Sequence, residues 1–334
     1  MKRTFKVALV GCGVISKNHL AALSKIDCAE VVALCDIKKE KAEARATEFG
    51  IDCKIYTDYI KMLDESTPDA VHVCTPHYLH APMTLEALRR DIFVFLEKPS
   101  CISQGELAEL IEAEKRSRAS VCVCFQNRFS PSVIKALRLA REDGGARSGY
   151  ASVFWDRGEK YYTESGWRGS YATEGGGVMI NQAIHAIDLL CVFLGAPKAL
   201  KAKISNYHLE GIIEVEDSCD GIVYHEDGKS SSFYATTAAR GVNSTVVYMV
   251  TKNHKIEVRN YKLFVDGAPV ETDEHENYVG KACYGNGHDT LIDLFYEAVS
   301  SGDSMPVTLE NSRAALDLLL AAYRSGGKLV EIGN

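Results

Sequence analysis

The chain has 334 residues, of which 46% are hydrophobic and 25% charged, and its formal net charge is −7. This length suits two globular domains, while the acidic balance and the lack of a long apolar stretch exclude a nucleic-acid-binding or membrane protein. Eleven cysteines are present, and several lie inside apolar runs, as is typical of reduced, packed thiols. We therefore expect a cytoplasmic protein without nucleic-acid or membrane partners.

The first predicted element is a buried strand, Lys6 to Val10, which leads into a glycine turn, Gly11 to Ser16. Apolar residues at helical spacing follow as far as Leu23. Gly11 suits the tight bend, and Gly13 lets the backbone approach a pyrophosphate, whose charge the helix N-terminus stabilises. The pattern predicts a dinucleotide-binding turn. Its other cofactor-binding candidates are Cys12, Val14 and Ile15.

The second predicted strand, Val31 to Cys35, ends at Asp36, about 20 residues beyond the glycine turn. A carboxylate at this position accepts a hydrogen bond from the ribose 2′-hydroxyl and repels a 2′-phosphate. Asp36 therefore favours NAD over NADP, although Lys38 and Lys39 follow it closely. A glycine turn in another kind of α/β protein remains the alternative, because the glycine pattern alone is unspecific.

Strands and helices continue to alternate as far as residue 124. The predicted elements are the helix Lys38–Phe49, the strand Ala70–Cys74, the helix Pro82–Arg90, the strand Ile92–Leu96, the helix Ser103–Ser117 and the strand Val121–Cys124. This alternation predicts a Rossmann-type, doubly wound parallel sheet in a domain of residues 1–124, with its ligand crevice at the carboxyl ends of the strands. The cofactor-binding candidates at these ends are Thr75, Pro76, His77, His80, Glu97 and Lys98.

From residue 125 to 334 the pattern predicts an α+β substrate-binding domain. A helix from Pro131 to Arg141 is followed by a strand near Tyr150 to Trp155 and by an amphipathic helix from Val178 to Leu194. Alternating runs between residues 200 and 265 then predict a large, mostly antiparallel sheet with one open face. Helices near 288–300 and 308–325 close the chain. The open face predicts a homodimer or homotetramer.

Lys98 is the first candidate for chemistry. It follows a predicted strand end, and Pro99 biases it toward an extended conformation that projects into the crevice. A bound oxidised nicotinamide is positive and the pocket is poorly solvated, so both effects lower the lysine pKa toward proton transfer. The alternative is a lysine that extends its ammonium to solvent at a strand edge.

The second candidate is the helix face of Asn181, His185 and Asp188, where the spacing of four and three residues brings side chains together. A neutral imidazole suits acid–base chemistry on a hydroxyl, while a core histidine hydrogen-bonded to Asp188 is the alternative. His77 and His80 have a spacing seen in metal sites, but no third ligand is evident, so no metal is expected.

These motifs resemble the Gfo/Idh/MocA family of nicotinamide-dependent sugar and cyclitol oxidoreductases over essentially the whole chain. The matching segments are the turn at 11–16, Thr75-Pro76, Glu97-Lys98-Pro99, and Gly175-Gly176-Gly177 with His185-Ala186-Ile187-Asp188. The resemblance implies that Lys98 and His185 are catalytic. Many family members have an aspartate where this chain has Asn181, and this departure removes a carboxylate partner of His185. It leaves open whether lysine or histidine is the primary base.

Further segments resemble the branch that contains UDP-N-acetylglucosaminuronate 3-dehydrogenases. They are Asn18-His19-Leu20, Gln126-Asn127-Arg128-Phe129, Asn181-Gln182-Ala183-Ile184-His185 and Tyr284-Gly285-Asn286-Gly287-His288. The resemblance implies hydride transfer between NAD and a secondary ring hydroxyl, C3 of a sugar, glycoside or nucleotide sugar. The alternatives are an inositol or other cyclitol dehydrogenase and a dinucleotide sensor without catalysis. The substrate-binding candidates are Lys98, Asn127, Arg128, Tyr161, Trp167, Arg168, Asn181 and His185.

Overall fold

A computed structural model of the protein describes residues 4–273, 285 and 287–332. The chain forms two compact units, which interleave along the sequence. The first unit comprises residues 1–101, 105–129 and 276–311, and the second comprises 102–104, 130–275 and 312–334, in each case where described. The domain boundary predicted after residue 124 concerns folding domains and stays a prediction. No helix in the described ranges is long and apolar enough to cross a membrane.

The first unit contains a parallel six-stranded sheet in the order β3-β2-β1-β4-β5-β6, which confirms the predicted Rossmann-type architecture. Its strands are β1 Phe5–Val10, β2 Ala29–Cys35, β3 Lys54–Tyr56, β4 Ala70–Val73, β5 Phe93–Glu97 and β6 Val121–Cys124. All four residues of β4 and of β6 are buried, because helices cover both faces of such a sheet.

Helices connect these strands. They are α1 Ser16–Leu23, α2 Lys39–Phe49, α3 Tyr59–Ser66, α4 His80–Leu88 and α5 Gln104–Arg116, and the later helix α9 spans Gly287–Ser301. Gly50 ends α2 in a left-handed conformation, with φ of 63°. The Asp58 carboxylate caps α3 by accepting the Lys61 N–H at 2.9 Å. Because consecutive parallel strands are joined in this way, their carboxyl ends lie at one edge of the sheet.

The second unit contains a nine-stranded sheet in the order β14-β13-β12-β11-β7-β10-β9-β8-β15. The strands are β7 Ser148–Phe154, β8 Pro197–Ser205, β9 Ser218–His225, β10 Ser230–Thr236, β11 Ser244–Val250, β12 Lys255–Arg259, β13 Lys262–Val265, β14 Ala268–Val270 and β15 Leu329–Glu331. Among the described strand pairs of this sheet, only β10–β7 is parallel, so the predicted, mostly antiparallel sheet is confirmed.

Burial alternates along the central strands of this sheet, as in β10, where exposed and buried residues take turns. Aromatic side chains lie on the exposed positions. Tyr150 stacks on Tyr248 with ring centroids 5.1 Å apart, and Phe154 lies 5.4 Å from Tyr234. One face therefore carries paired rings that remain partly open to solvent.

The helices that begin in the second unit are α6 Pro131–Glu142, α7 Glu159–Thr163 and α8 Ile184–Leu194, and α10 spans Leu309–Ser325. A π-helical turn, Met179–Ala183, precedes α8. The single regular helix predicted from Val178 to Leu194 is therefore wrong in its first turn. A π-turn contains more residues than an α-turn, so ideal α-helical spacing does not relate Asn181 to His185.

Candidate functional site

The glycine turn after β1 has the backbone geometry that a dinucleotide requires. Gly11 has φ of 90°, and a Cβ added there would lie 2.5 Å from the Cys74 carbonyl oxygen, so only glycine fits. A Cβ added to Gly13 would meet nothing within 4 Å, which leaves open space beside the turn. Within the described ranges, the N–H groups of residues 13–15 have no hydrogen-bond acceptor, so they are available to a pyrophosphate.

Asp36 follows the end of β2, as predicted. Its Oδ2 accepts the Cys12 N–H at 2.9 Å and its Oδ1 accepts the Lys38 N–H at 2.9 Å. Arg45 donates to the Gly13 carbonyl at 3.2 Å, and its guanidinium pairs with Glu48 at 2.6 Å. The turn, its available N–H groups and this fixed carboxylate therefore fit a bound NAD.

A chain of hydrogen bonds runs through the interior of the first unit. The Tyr296 hydroxyl lies 2.9 Å from His72 Nε2, and His72 Nδ1 lies 2.8 Å from His19 Nδ1. His19 Nε2 lies 2.9 Å from Glu97 Oε1, at the end of β5. All four side chains are buried. Burial lowers the pKa of both histidines. Burial also raises the pKa of Glu97, but the hydrogen bond from His19 and the nearby His288 ring outweigh it and hold that pKa well below its usual range.

Two further side chains surround Glu97. His288 Nε2 on α9 lies 3.7 Å from Glu97 Oε1, and Cys124 ends β6. One ligand atom from each of His19, Glu97, Cys124 and His288 lies within 4.8 Å of the others, so this donor set could hold a metal ion. The sequence interpretation missed the cluster, because four separate elements contribute to it. Its signal was Glu97, a carboxylate that directly follows the apolar run 92–96.

His80 connects two of the strand-end loops. Its Nε2 lies 2.8 Å from the Thr75 carbonyl and its Nδ1 lies 2.6 Å from the Pro99 carbonyl. Burial lowers the pKa of His80, whereas these two acceptors raise it. The His77 ring lies 5.7 Å from that of His80. Since both ring nitrogens of His80 face carbonyl oxygens, this side chain fixes the loops that flank the strand ends, and the loops include Pro76.

Lys98 directly follows β5 and is half-buried, and its peptide bond to Pro99 is cis. Asn127 is buried in a 3₁₀ turn, Gln126–Phe129, after β6. Arg128 in the same turn donates to the side chain and the carbonyl of Asn311, at 3.2 and 3.1 Å. The structure thus places Lys98, Asn127 and Arg128 after neighbouring strands of the parallel sheet.

In the second unit, Asn181 has a carboxylate beside it. Its Nδ2 donates to Glu174 Oε1 at 2.5 Å and to the Tyr161 hydroxyl at 3.3 Å. Glu174 is completely buried and also accepts the Gly169 N–H at 2.6 Å. His185 is half-buried in the first turn of α8. A carboxylate is therefore present beside Asn181 after all, and it comes from Glu174, seven residues earlier.

Arginine and aromatic side chains alternate next to Asn181. The Arg168 guanidinium lies 4.4 Å from the Tyr161 ring centroid and 4.6 Å from that of Trp167. On the other side, Arg157 lies 5.3 Å from Tyr161 and 4.6 Å from Trp155. We call these five residues the arginine–aromatic stack. Neither arginine pairs with a carboxylate in the described part of the chain, so the stack presents uncompensated positive charge. Trp155 and Arg157 were missed, although they follow β7 directly.

The triple glycine packs against a buried acid. A Cβ added to Gly177 would lie 1.9 Å from the Glu216 carbonyl oxygen, so the close approach requires glycine. The Glu216 carboxyl accepts the N–H groups of Gly177 and Met179 at 2.9 and 3.0 Å and the Tyr323 hydroxyl at 3.1 Å. Burial raises the pKa of Glu216 to about 7. Glu216 therefore anchors the π-turn that carries Asn181.

Two family profiles match the chain. Residues 5–125 match an oxidoreductase family with an NAD-binding Rossmann fold, and residues 134–255 match the Gfo/Idh/MocA C-terminal domain. The chain belongs to the Gfo/Idh/MocA family. Its first unit thus includes the family's NAD-binding domain, in agreement with the cofactor predicted from Asp36.

Several known dehydrogenases are similar to this chain. D-apiose dehydrogenase from Paraburkholderia graminis is 28% identical over 71% of this chain and 62% of its own length. Inositol 2-dehydrogenase from Salmonella typhimurium is 31% identical over 40% of each. The matches thus span less than two thirds of these relatives. The WlbA dehydrogenase from Bordetella pertussis, solved with NADH and UDP-GlcNAcA, is 25% identical, covers 100% of this chain and 99% of its own, and superposes with a TM-score of 0.87.

Proposed function

We propose that this protein is an NAD-dependent dehydrogenase that oxidises a secondary ring hydroxyl of a sugar, at C3, or catalyses the reverse reduction. The observation that carries the proposal is the position of Lys98, directly after β5 of an NAD-binding Rossmann sheet. A side chain at the carboxyl end of a strand in such a sheet reaches the crevice where the family binds its cofactor. An amine there can exchange a proton with a substrate hydroxyl.

In the oxidation, the C–H bond and the O–H bond of one carbinol break and a C=O bond forms. NAD, when bound, accepts the hydride. Lys98 takes the hydroxyl proton, and His185 polarises the same oxygen or relays the proton. Asn181 binds a neighbouring hydroxyl, because its hydrogen bonds to Glu174 and Tyr161 fix the orientation of its amide.

The substrate class follows from the arginine–aromatic stack. Aromatic faces suit the C–H surface of a sugar ring, and the guanidinium groups of Arg157 and Arg168 suit an anionic substituent. The similar WlbA dehydrogenase was solved with a nucleotide sugar. These facts support a nucleotide sugar or another acidic sugar as the substrate, with Asn127 and Arg128 as further contacts from the turn after β6.

An inositol dehydrogenase is the second candidate, supported by inositol 2-dehydrogenases among the relatives. Asn181 argues against it, because this chain lacks the aspartate that the family resemblance implies there. A dinucleotide sensor would need neither Lys98 nor His185 for chemistry. We also propose a cytoplasmic homodimer or homotetramer that associates through the open face of the nine-stranded sheet, where half-exposed rings such as Tyr224 and Tyr234 lie.

The test is NAD reduction across UDP-sugars, sugar acids, neutral glycosides and inositols, with keto-sugars and NADH for the reverse direction. We expect turnover with an acidic sugar, and Lys98→Ala should lower kcat by about 10³-fold or more while NAD still binds. Lys98→Arg is the matched control, because it keeps the charge but cannot release a proton at neutral pH. Normal turnover by Lys98→Ala would contradict the assignment of the base.

A further inference from the structure

The hydrogen-bond chain that ends at Glu97 has one consistent set of protons when Glu97 is ionised. A carboxylate only accepts, so His19 Nε2–H donates to Glu97. A neutral His19 then accepts at Nδ1 from His72 Nδ1–H, and His72 accepts at Nε2 from the Tyr296 hydroxyl. These tautomers are assigned from the network. Every link is satisfied, and the chain delivers a donor to the buried carboxylate.

Glu97 and Lys98 are consecutive residues at the end of β5. Successive side chains along a strand point to opposite sides. Glu97 is only 6% exposed and is held in the interior by His19, whereas Lys98 is half-buried. The conformation of this strand end determines where Lys98 points, and it depends on how firmly Glu97 is anchored. The negative charge of Glu97 also lies on the residue next to Lys98.

We propose that His19 is a positioning residue of the reaction: by donating to the buried Glu97 carboxylate, it fixes the strand end from which Lys98 exchanges its proton. The proposal rests on the proposed function, in which Lys98 is the acid–base. Helix α1, which carries His19, thus has two roles in the proposal. It follows the dinucleotide-binding turn, and it holds the strand end that carries Lys98.

The environment of Glu97 determines what its charge does. The titratable groups that face it from α1, β4, the loop after β4, α4, β6 and α9 are, in that order, His19, His72, Cys74, His80, Cys124 and His288. Burial lowers the pKa of His19, His72 and His80 and raises the pKa of both thiols. Glu97 thus lies as a carboxylate among buried histidines and thiols.

A divalent metal ion is the competing occupant of this cluster. Two ligand atoms of a tetrahedral zinc ion stand about 3.3 Å apart, given bonds of about 2.0 Å. His19 Nε2 and Glu97 Oε1 are closer, at 2.9 Å, which is a hydrogen-bond distance. The Cys124 thiol also donates to Gln126 Oε1, at 3.8 Å. The distance between these two atoms favours a hydrogen bond over a shared metal ion. The experiment therefore also measures the metal content of the protein.

The experiment compares His19→Met, His19→Gln and Glu97→Gln in the full chain. Glutamine at position 19 places an N–H near the former Nε2, whereas methionine has a similar volume but no donor. Glu97→Gln keeps the shape and removes the charge. Tyr296→Phe is the matched control, since it cuts the same chain at the end far from Lys98.

The first readout needs no substrate: the titration of the Lys98 amine, followed by NMR on protein whose lysines carry ¹³C-methyl groups, with Lys98→Arg for assignment. We expect Glu97→Gln to move the Lys98 midpoint to lower pH, because the ammonium loses a neighbouring anion. His19→Met should have the same effect, because Glu97, left buried without its donor, takes up a proton. His19→Gln and Tyr296→Phe should titrate like the wild type. Equal midpoints in all variants would overturn the proposal. So would a shift in Tyr296→Phe as large as that in His19→Met.

The second readout is kinetic. His19→Met should lower kcat by about 10-fold or more, with KM changed less than about 2-fold, and His19→Gln should restore most of kcat. A purely structural role would lower thermal stability and leave kcat per folded molecule unchanged. If His19→Met does not fold, Glu97→Gln is compared with His19→Gln instead. The first should shift the Lys98 midpoint, and the second should behave like the wild type.

Metal analysis separates the remaining alternative. We expect less than about a tenth of an equivalent of zinc, iron or manganese in the purified wild type. One equivalent, lost in both His19 variants, would replace the proposal with a metal site. An active Lys98→Ala enzyme would instead refute the proposed function. An inactive Lys98→Ala beside a normal His19→Met would refute only the role of His19.

Discussion

Two polar clusters, one in each unit, are held in opposite ways. In the first, Glu97, His19 and His72 are buried and satisfy one another through a closed chain of hydrogen bonds. In the second, Arg157 and Arg168 lie half-buried on aromatic faces without a carboxylate partner among the described residues. A fully hydrogen-bonded network therefore fixes the position of its groups, whereas an uncompensated charge is available to bind an ion of opposite charge from outside.

Glu216, the buried acid of the second unit, should have the largest effect on the pH dependence of stability. Glu216 has a pKa raised to about 7 in the fold, above its ordinary value of 4.5. Between these two values the unfolded state has released the proton while the folded state retains it. The free energy of unfolding should therefore fall as pH rises from 4.5 to 7, by about 3 kcal/mol in total, and stay lower above pH 7.

Denaturant unfolding of the wild type and Glu216→Gln between pH 4.5 and 8.5 measures this effect. The glutamine variant should lose this part of the pH dependence, because it has no proton to release. If the free energy of unfolding depends on pH in the same way in both proteins, Glu216 is already ionised in the fold. It would then be a buried carboxylate held by donors, as Glu97 is.

Asp36 tests whether the first unit also discriminates by charge. Asp36→Asn keeps an acceptor for the Cys12 N–H but removes the charge that repels a 2′-phosphate. We expect the ratio of kcat/KM for NAD to that for NADP to fall about 10-fold, equivalent to about 1.4 kcal/mol. Steady-state kinetics with both cofactors gives this ratio.

The control for this variant is Glu48→Gln, which removes a nearby exposed carboxylate that pairs with Arg45. It should leave the ratio within about 2-fold of wild type, since exposed ion pairs contribute little. An unchanged ratio in Asp36→Asn would mean that shape and not charge selects the cofactor.

The arginine–aromatic stack should give the smallest effect, confined to binding. Arg168→Ala should raise KM for an acidic sugar about 5- to 10-fold, about 1 kcal/mol, and leave KM for its neutral analogue nearly unchanged. Arg168→Lys, which keeps the charge but not the planar stacking, should be intermediate. An equal increase in KM for both sugars would indicate lost packing around Tyr161. It would contradict the view that the charge of Arg168 binds an anionic substituent.

The architecture was readable from the sequence where the signals are local. The strand, glycine turn and helix around Gly11 and the acid at Asp36 lie within one βαβ unit, and the structure places them as predicted. The short strand β3 and helix α3 were not predicted, although the Asp58 cap marked the start of α3. A three-residue strand offers too few positions for periodicity to register.

The site was readable only in part, because its contacts are not local. Lys98 and His185 belong to motifs, but the partner of Asn181 is Glu174, across a glycine run whose path the sequence does not specify. The link between His19 and Glu97 spans 78 positions. In the segment Tyr284 to His288, which contributed to the predicted branch, Tyr284 and Asn286 lie outside the described residues.

The outermost strands of the nine-stranded sheet limit how this protein can grow into larger assemblies. Both β14 and β15 have three residues, and β14 contains Pro269, which lacks the N–H that an added strand would need. Among the described residues, strand-by-strand extension, the route to fibrillar aggregates, is therefore disfavoured at β14 by the missing N–H and at β15 by its short length. A sheet protected in this way can keep a broad aromatic surface exposed during synthesis without templating aggregation at its edges.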